Sequence, residues 1–233
     1  MNRQPIIRVQ GLTYRYPGGA EALRGVDFNL HAGEAVALLG PNGSGKTTFL
    51  LHLNGLLSGS GSLSLCGLEP RRENLAEIRR RVGLLFQNPG EQLFLARVID
   101  DVAFGLKQHG ASGDEAERRA FEALARVGAE KLAQRTTFHL SAGEQQRVAL
   151  AGVLAMEPEV LALDEPTTHL DPHGRAKLVE LLKNLPQAKV LVTHDVSFAR
   201  ALAQRAVFFT EGRAIADGLI DDIIEQFGWG GQL

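Results

Sequence analysis

Between Gly40 and Thr48 the chain reads GPNGSGKTT, a stretch whose residue types and spacing satisfy G-x-x-x-x-G-K-[ST]. Gly40, Gly43 and Gly45 let the backbone turn tightly so that successive N–H groups point inward. The apolar run AVALL before this loop and the helix-like segment after it give a strand–loop–helix setting, and the start of the helix adds the positive end of its dipole. Such a loop cradles phosphates. Asn42, Gly43, Ser44, Gly45 and Thr48 line it, Lys46 reaches the β and γ phosphates of a nucleoside triphosphate, and the Thr47 hydroxyl ligates a bridging magnesium ion. An ordinary Gly-rich turn between strand and helix accounts for the glycines, but not for a lysine and a threonine directly after the last of them.

The run VLAL delivers Asp164 and Glu165 at its end, where an aspartate can hold magnesium and the next carboxylate can polarise an attacking water. Two adjacent acids alone fit a solvated loop or the start of a helix equally well. The cradle changes their meaning, because a parallel sheet lines up the C-terminal ends of its strands along one edge and binds ligands there. Gln87 follows the run VGLLF and His194 follows KVLVT, so these polar residues converge on the edge that carries the cradle. His194 is read as a contact to the γ phosphate; a lone histidine at a strand end would be structural.

The segment LSAGEQQRVALAGVLAMEP carries a further phosphate-receptive feature. Ser141 and Glu144 form S-x-x-E, a capping box opening an amphipathic helix that runs to about Met156. A helix N-terminus with Ala142 and Gly143 exposed can also receive a phosphate. Its place in the chain puts it outside the first nucleotide pocket, where a second subunit can use it.

A buried parallel sheet must position these groups. The runs Ala35 to Leu39, Val82 to Phe86, Val160 to Leu163 and Val190 to Val192 are continuous rather than alternating, as in strands buried on both faces. Helix-like segments, among them Lys46 to Leu57 and Arg175 to Leu185, lie between them, so the fold class is α/β. The first thirty residues instead alternate around Pro17 to Gly19, which predicts an antiparallel β layer. From about Asn88 to Met156 the pattern is helical, with Glu115 to Val127 carrying Ala120, Phe121, Leu124 and Val127 on one face before Gly128 as a C-cap.

Composition narrows the function classes. The chain has 233 residues, 44% of them hydrophobic, enough for a buried core. Lys and Arg total 25 against 27 Asp and Glu, a net charge of -2 that offers no basic field to a nucleic-acid backbone. No apolar run approaches the roughly 20 residues of a membrane helix. The opening MNRQPIIRVQ lacks an apolar leader and Cys66 is the single cysteine, so a reducing cytoplasm is expected. The seven histidines are scattered without metal-ligand spacing, against a metal-storage role.

GPNGSGKTT, Gln87, LSAGE, VLALDEP, THLD and His194 stand in the order and spacing of the ABC transporter ATPases, which the chain resembles over nearly its whole length. The resemblance implies a RecA-like P-loop core with the β layer over residues 1–88 and 157–233, and a helical signature subdomain over 89–156. It implies binding and hydrolysis of ATP with Mg2+, with Thr47, Gln87 and Asp164 as metal ligands and Glu165, His194 and Lys46 as catalytic residues. It also implies a head-to-tail dimer, homomeric or heteromeric, in which Ser141, Ala142, Gly143 and Glu144 of one subunit close over ATP held by the other, with Asp171 in the interfacial D-loop. Tyr16 matches the aromatic that stacks on adenine, although an apolar hairpin tip would read the same way. Two departures stand out: LSAGE replaces the usual LSGGQ, placing a negative charge near the opposite nucleotide, and His169 stands where Ala or Gly is usual.

FQNPGEQLFLARVIDDVAFG, from Phe86 to Gly105, looks like the energy-coupling-factor importers, notably the cobalt and nickel ATPases. There Leu93 and Phe94 would seat a coupling helix of an integral membrane subunit, holding the chain on the cytoplasmic face of the cell membrane. The cargo leaves no direct trace; cobalt or nickel is the first expectation, and biotin or another vitamin stays open. The short run after Ile224 leaves little room for an added regulatory domain. A soluble ABC-type ATPase acting on DNA or ribosomes would carry a long coiled-coil insertion or a second cassette, and a P-loop kinase would not need LSAGE.

Overall fold

The computed structural model describes residues 4–229. It forms two bodies, one built from residues up to 84, 159–165 and those from 186 onward, the other from 85–158 and 166–185. The first contains β1 (Ile7–Arg15), β2 (Glu21–Leu30), β3 (Ala35–Leu39), α1 (Lys46–Leu53), β4 (Ser60–Leu65), α2 (Leu75–Arg81), β5 (Val82–Leu85, at its border) and β6 (Val160–Asp164). The second contains α3 (Val98–Gln108), α4 (Gly113–Arg126), α5 (Ala142–Ala155) and α6 (Pro172–Asn184). The chain then returns to the first body with β7 (Ala188–Val192), α7 (Val196–Leu202), β8 (Arg205–Thr210), β9 (Arg213–Leu219) and α8 (Ile220–Gln226).

The antiparallel layer has the order β2–β1–β4. Ile7 and Val9 are buried at odd positions and Leu12 at an even one, a switch of face that the bulge between Val9 and Leu12 makes possible. The third strand, SGSLSL, escaped the sequence reading because its serines and glycine dilute the apolar alternation. The larger sheet has the order β5–β6–β7–β3–β8–β9, in which β6, β7, β3 and β8 run parallel and β9 is antiparallel at one edge. β5, β6 and β7 are buried at every position, which is why they read as unbroken apolar runs.

Three sequence expectations need correction. The helix expected to reach Leu57 stops at Leu53, where Asn54 and Gly55 (φ 71°) turn the chain. On α4 the buried positions are Ala116, Ala120, Ala123 and Leu124, whereas Phe121, expected on the apolar face, is exposed. The face that packs is lined by alanines, which admit close approach to α3 and α5. Residues 166–185 group with the helical body rather than with the expected core, because Leu170, Leu178 and Leu181 share an apolar groove with Val127 and Leu150.

Candidate functional site

Strand register brings the chemical groups of the first body together. Leu38 on β3 is level with Val192 on β7, and Asp164 at the end of β6 is level with the same Val192. The loops that follow these strands therefore leave one edge of the sheet side by side. They carry Gly40–Thr48, Glu165 and His194, which the sequence reading placed there.

The cradle is fixed by packing as well as by ligand chemistry. A side chain at Gly40 would meet the Phe209 carbonyl oxygen at 2.0 Å, and one at Gly45 would meet the Ala22 carbonyl oxygen at 2.6 Å. Gly45 has φ 104° and no side chain caps α1, so the first N–H groups of that helix remain available to an anion. Behind them Phe49 packs between Phe28 and Phe209, at centroid distances of 5.3 and 5.4 Å. Lys46 folds into the loop, donating to the carbonyls of Gly40 (2.7 Å) and Pro41 (2.8 Å) and to the Ser44 hydroxyl (3.3 Å). Burial lowers its pKa, while Glu165 and Asp164 counteract that shift.

Asp164 is buried, and its Oδ1 has no hydrogen-bond partner. Burial raises its pKa, opposed by a hydrogen bond from Thr47 and by the charge of Lys46. An open carboxylate oxygen beside a threonine hydroxyl, next to a phosphate cradle, suits a hard cation with oxygen ligands, and Mg2+ fits this pair.

Glu165 has φ 45°, a left-handed conformation unusual for a residue with a side chain. Its N–H donates to the Val192 carbonyl at 2.8 Å, and its Oε2 accepts from the His194 backbone N–H at 3.3 Å. Burial raises its carboxyl pKa, with the Asp164 charge adding to the shift against the His194 N–H and the Thr193 hydroxyl. Thr193 was not singled out from sequence, since a threonine within an apolar strand reads as a packing residue. His194 Nε2 lies 2.8 Å from Asn42 Oδ1 and 3.4 Å from Glu165 Oε1. Burial and the nearby Lys46 lower its pKa, and Asn42 Oδ1 is placed to accept from an Nε2–H of the ring. Glu165 Oε1 is thereby left buried with no hydrogen bond. The Trp229 ring, read from sequence as mobile or packed on the core surface, sits 5.7 Å from the His194 ring and 5.5 Å from Phe208; the residues after it lie outside those described.

Tyr16 is 37% exposed, and its hydroxyl is 3.0 Å from Thr48 Oγ1, which ties the hairpin tip to the first turn of α1. Tyr14 packs edge-on against Tyr16 at 4.9 Å.

The remaining expected residues belong to the second body. Gln87, just past β5, is exposed. Ser141 is the N-cap of α5, and the capping box with Glu144 is fully formed; Ala142 and Gly143 are the first two helical residues. Asp171 caps α6, accepting from the Gly174 N–H at 2.6 Å, and His169 is exposed. Phe94 is 55% exposed and meets Phe104 edge-on at 4.9 Å, whereas Leu93 is buried. Arg135, beside Glu144 at 2.9 Å, carried no sequence signal because it lies in a loop without periodicity.

Comparison with known proteins agrees with this chemistry. The family model described as "ABC transporter" matches residues 23–168. A putative ABC transporter ATP-binding protein of Streptomyces coelicolor is 50% identical over 211 residues, spanning 90% of this chain and 81% of that protein. The energy-coupling factor transporter ATP-binding protein EcfA of Methanosphaera stadtmanae is 39% identical over 244 residues, covering 98% and 88% of the two chains. Among solved structures, cbiO1 of Clostridium perfringens, described as part of the ABC transporter complex cbiONQ, superposes with a TM-score of 0.84 at 37% identity, covering 97% of this chain and 92% of that one. A dimeric ATP-binding cassette in a post-hydrolysis state with ADP and Pi gives a TM-score of 0.85 at 31% identity, covering 92% and 98%. With its phosphate cradle, its acid pair at the end of β6 and its close relatives all in agreement, the chain belongs to the ABC transporter ATP-binding family, whose members bind ATP with Mg2+ and hydrolyse it as the ATPase subunits of transporters.

Proposed function

We propose that this subunit hydrolyses ATP in a site completed by a second ATPase subunit, identical or related, and that it powers an importer of the energy-coupling-factor type through a separate membrane subunit. The observation that carries the reading is the buried, unpartnered Oε1 of Glu165 beside the cradle that holds Lys46. A carboxylate whose pKa is raised by burial is a better proton acceptor than a solvated one, and an oxygen without a partner can orient a water. Thr47 and Asp164 would hold Mg2+, with Gln87 contributing once ATP is bound; the ion neutralises phosphate charge. His194, whose Nε2 lies 2.8 Å from Asn42 Oδ1, would turn that donor to a γ phosphate. Tyr16 would stack on the adenine.

The N-terminus of α5 supports the shared site. A side chain at Gly143 would meet only His169 O at 3.6 Å and Leu170 at 3.7 Å, ordinary contacts, so the chain's own packing does not demand glycine there. A visiting phosphate of the opposite subunit would. Asp171, which fixes the start of α6, would set the D-loop across that interface. The importer reading rests on the FQNPGEQLF stretch and on the similarity to EcfA; cobalt or nickel ion is the cargo this motif favours, and the chain would work at the cytoplasmic face of the membrane.

The test is Glu165→Gln. The amide keeps the shape of the side chain but cannot act as a base, so turnover should fall by about 100- to 10,000-fold while ATP remains bound. Light scattering after size exclusion should show a dimer with Mg-ATP and a monomer with ADP. Normal phosphate release by the variant would remove Glu165 from its role, and an ATP-loaded monomer would remove the shared site.

A further inference from the structure

The signature turn of this chain contains an anion where an anion is to be received. Glu144 occupies the first turn of α5, and its Oε2 accepts from both the Ser141 N–H (2.8 Å) and the Ser141 hydroxyl (2.9 Å). A carboxylate there satisfies the cap, yet it also offsets the positive end of the helix and would repel a phosphate approaching the Ala142 and Gly143 N–H groups. Its second oxygen, Oε1, accepts from Arg135 Nη1 at 2.9 Å. Arg135 comes from the loop preceding the turn. Arg147, three residues further along α5, acts on Glu144 electrostatically without a direct bond. The carboxylate is thus held at three points: two by Ser141 and one by a guanidinium.

We propose that Arg135 is a positioning residue for the signature turn: it neutralises Glu144 and holds it in the capping box, so that the N-terminus of α5 meets the opposite subunit's nucleotide without a free carboxylate. The pairing explains how the turn tolerates Glu where the usual signature has an uncharged Gln. The inference rests on the shared-site reading given above. It requires Arg135 to matter only because Glu144 is charged, a condition that separates it from a general structural role.

The experiment uses the full chain in the Glu165→Gln background and measures the Mg-ATP concentration at which half the protein is dimeric. Arg135→Ala should raise that concentration by about two- to fivefold, the range for losing a partly exposed ion pair. Arg135→Lys should restore most of the loss. Combined with Glu144→Gln, which removes the charge, Arg135→Ala should have no effect, the double variant matching Glu144→Gln alone. Because the repulsion is between charges, the Arg135→Ala defect should shrink when salt is raised from about 0.05 to 0.5 M. Thermal melts of the same proteins report any loss of the cap itself. An Arg135→Ala effect that is equal with Glu144 or Gln at position 144, or no effect in either case, overturns the proposal. Failure of the Glu165→Gln parent to dimerise with ATP overturns the shared site, and this inference with it.

Discussion

Lys46 directs its ammonium at the carbonyls of Gly40 and Pro41. It sits inside the cradle, partly desolvated, where phosphate oxygens could take the place of those carbonyls. Lys46→Ala should weaken Mg-ATP binding by about 10- to 100-fold, the scale of a charge-assisted hydrogen bond. Isothermal titration checks this, and unchanged affinity would show that the backbone N–H groups suffice. At this scale the sequence was informative about which residues matter and less so about why. Gly40 and Gly45 read as glycines that let the loop turn tightly, yet each is also demanded by a carbonyl of its own fold, Phe209 and Ala22. Thr193 was invisible because its partner, Glu165, is distant in sequence.

Among the elements, the parallel strands were legible since burial on both faces leaves no polar alternation to misread, and the cap of α5 was legible because S-x-x-E is a local code. The polar β4 and the alanine-faced α4 were not, because their packing depends on what approaches them. The turn before α3 shows the same limit. Asp101 accepts from the N–H groups of Phe94 (2.9 Å) and Leu95 (2.6 Å), and this pins Phe94 outward against Phe104 while Leu93 points into the core. Sequence alone could not say which of the two adjacent apolar residues faces outward. Phe94→Asp should therefore lower recruitment of the protein to membranes bearing a matched membrane subunit, at a cost in stability of about 1 kcal/mol from the lost ring pair. Sedimentation of co-expressed membranes measures the first and a thermal melt the second; recruitment equal to that of the native chain would make Phe94 a surface variant.

For the molecule as a whole, the motifs fix the family, and what they leave open is set by other chains: the second ATPase subunit, the membrane subunit and the cargo. One internal feature nevertheless gives access to the working cycle. Trp229 is the only tryptophan of the chain, and its ring lies against His194, which is bonded to Asn42 of the phosphate loop. Indole emission responds to the polarity and proton-donating groups around it, so the protein carries an intrinsic optical probe at its nucleotide edge. Mg-ATP should change the emission with the same midpoint as calorimetric binding, Trp229→Phe should abolish the signal, and His194→Ala should alter its size; a signal insensitive to His194 would mean that the fluorophore reports only on Phe208. Stopped-flow emission of the unlabelled protein would then resolve ATP arrival, hydrolysis and product release as successive levels of light.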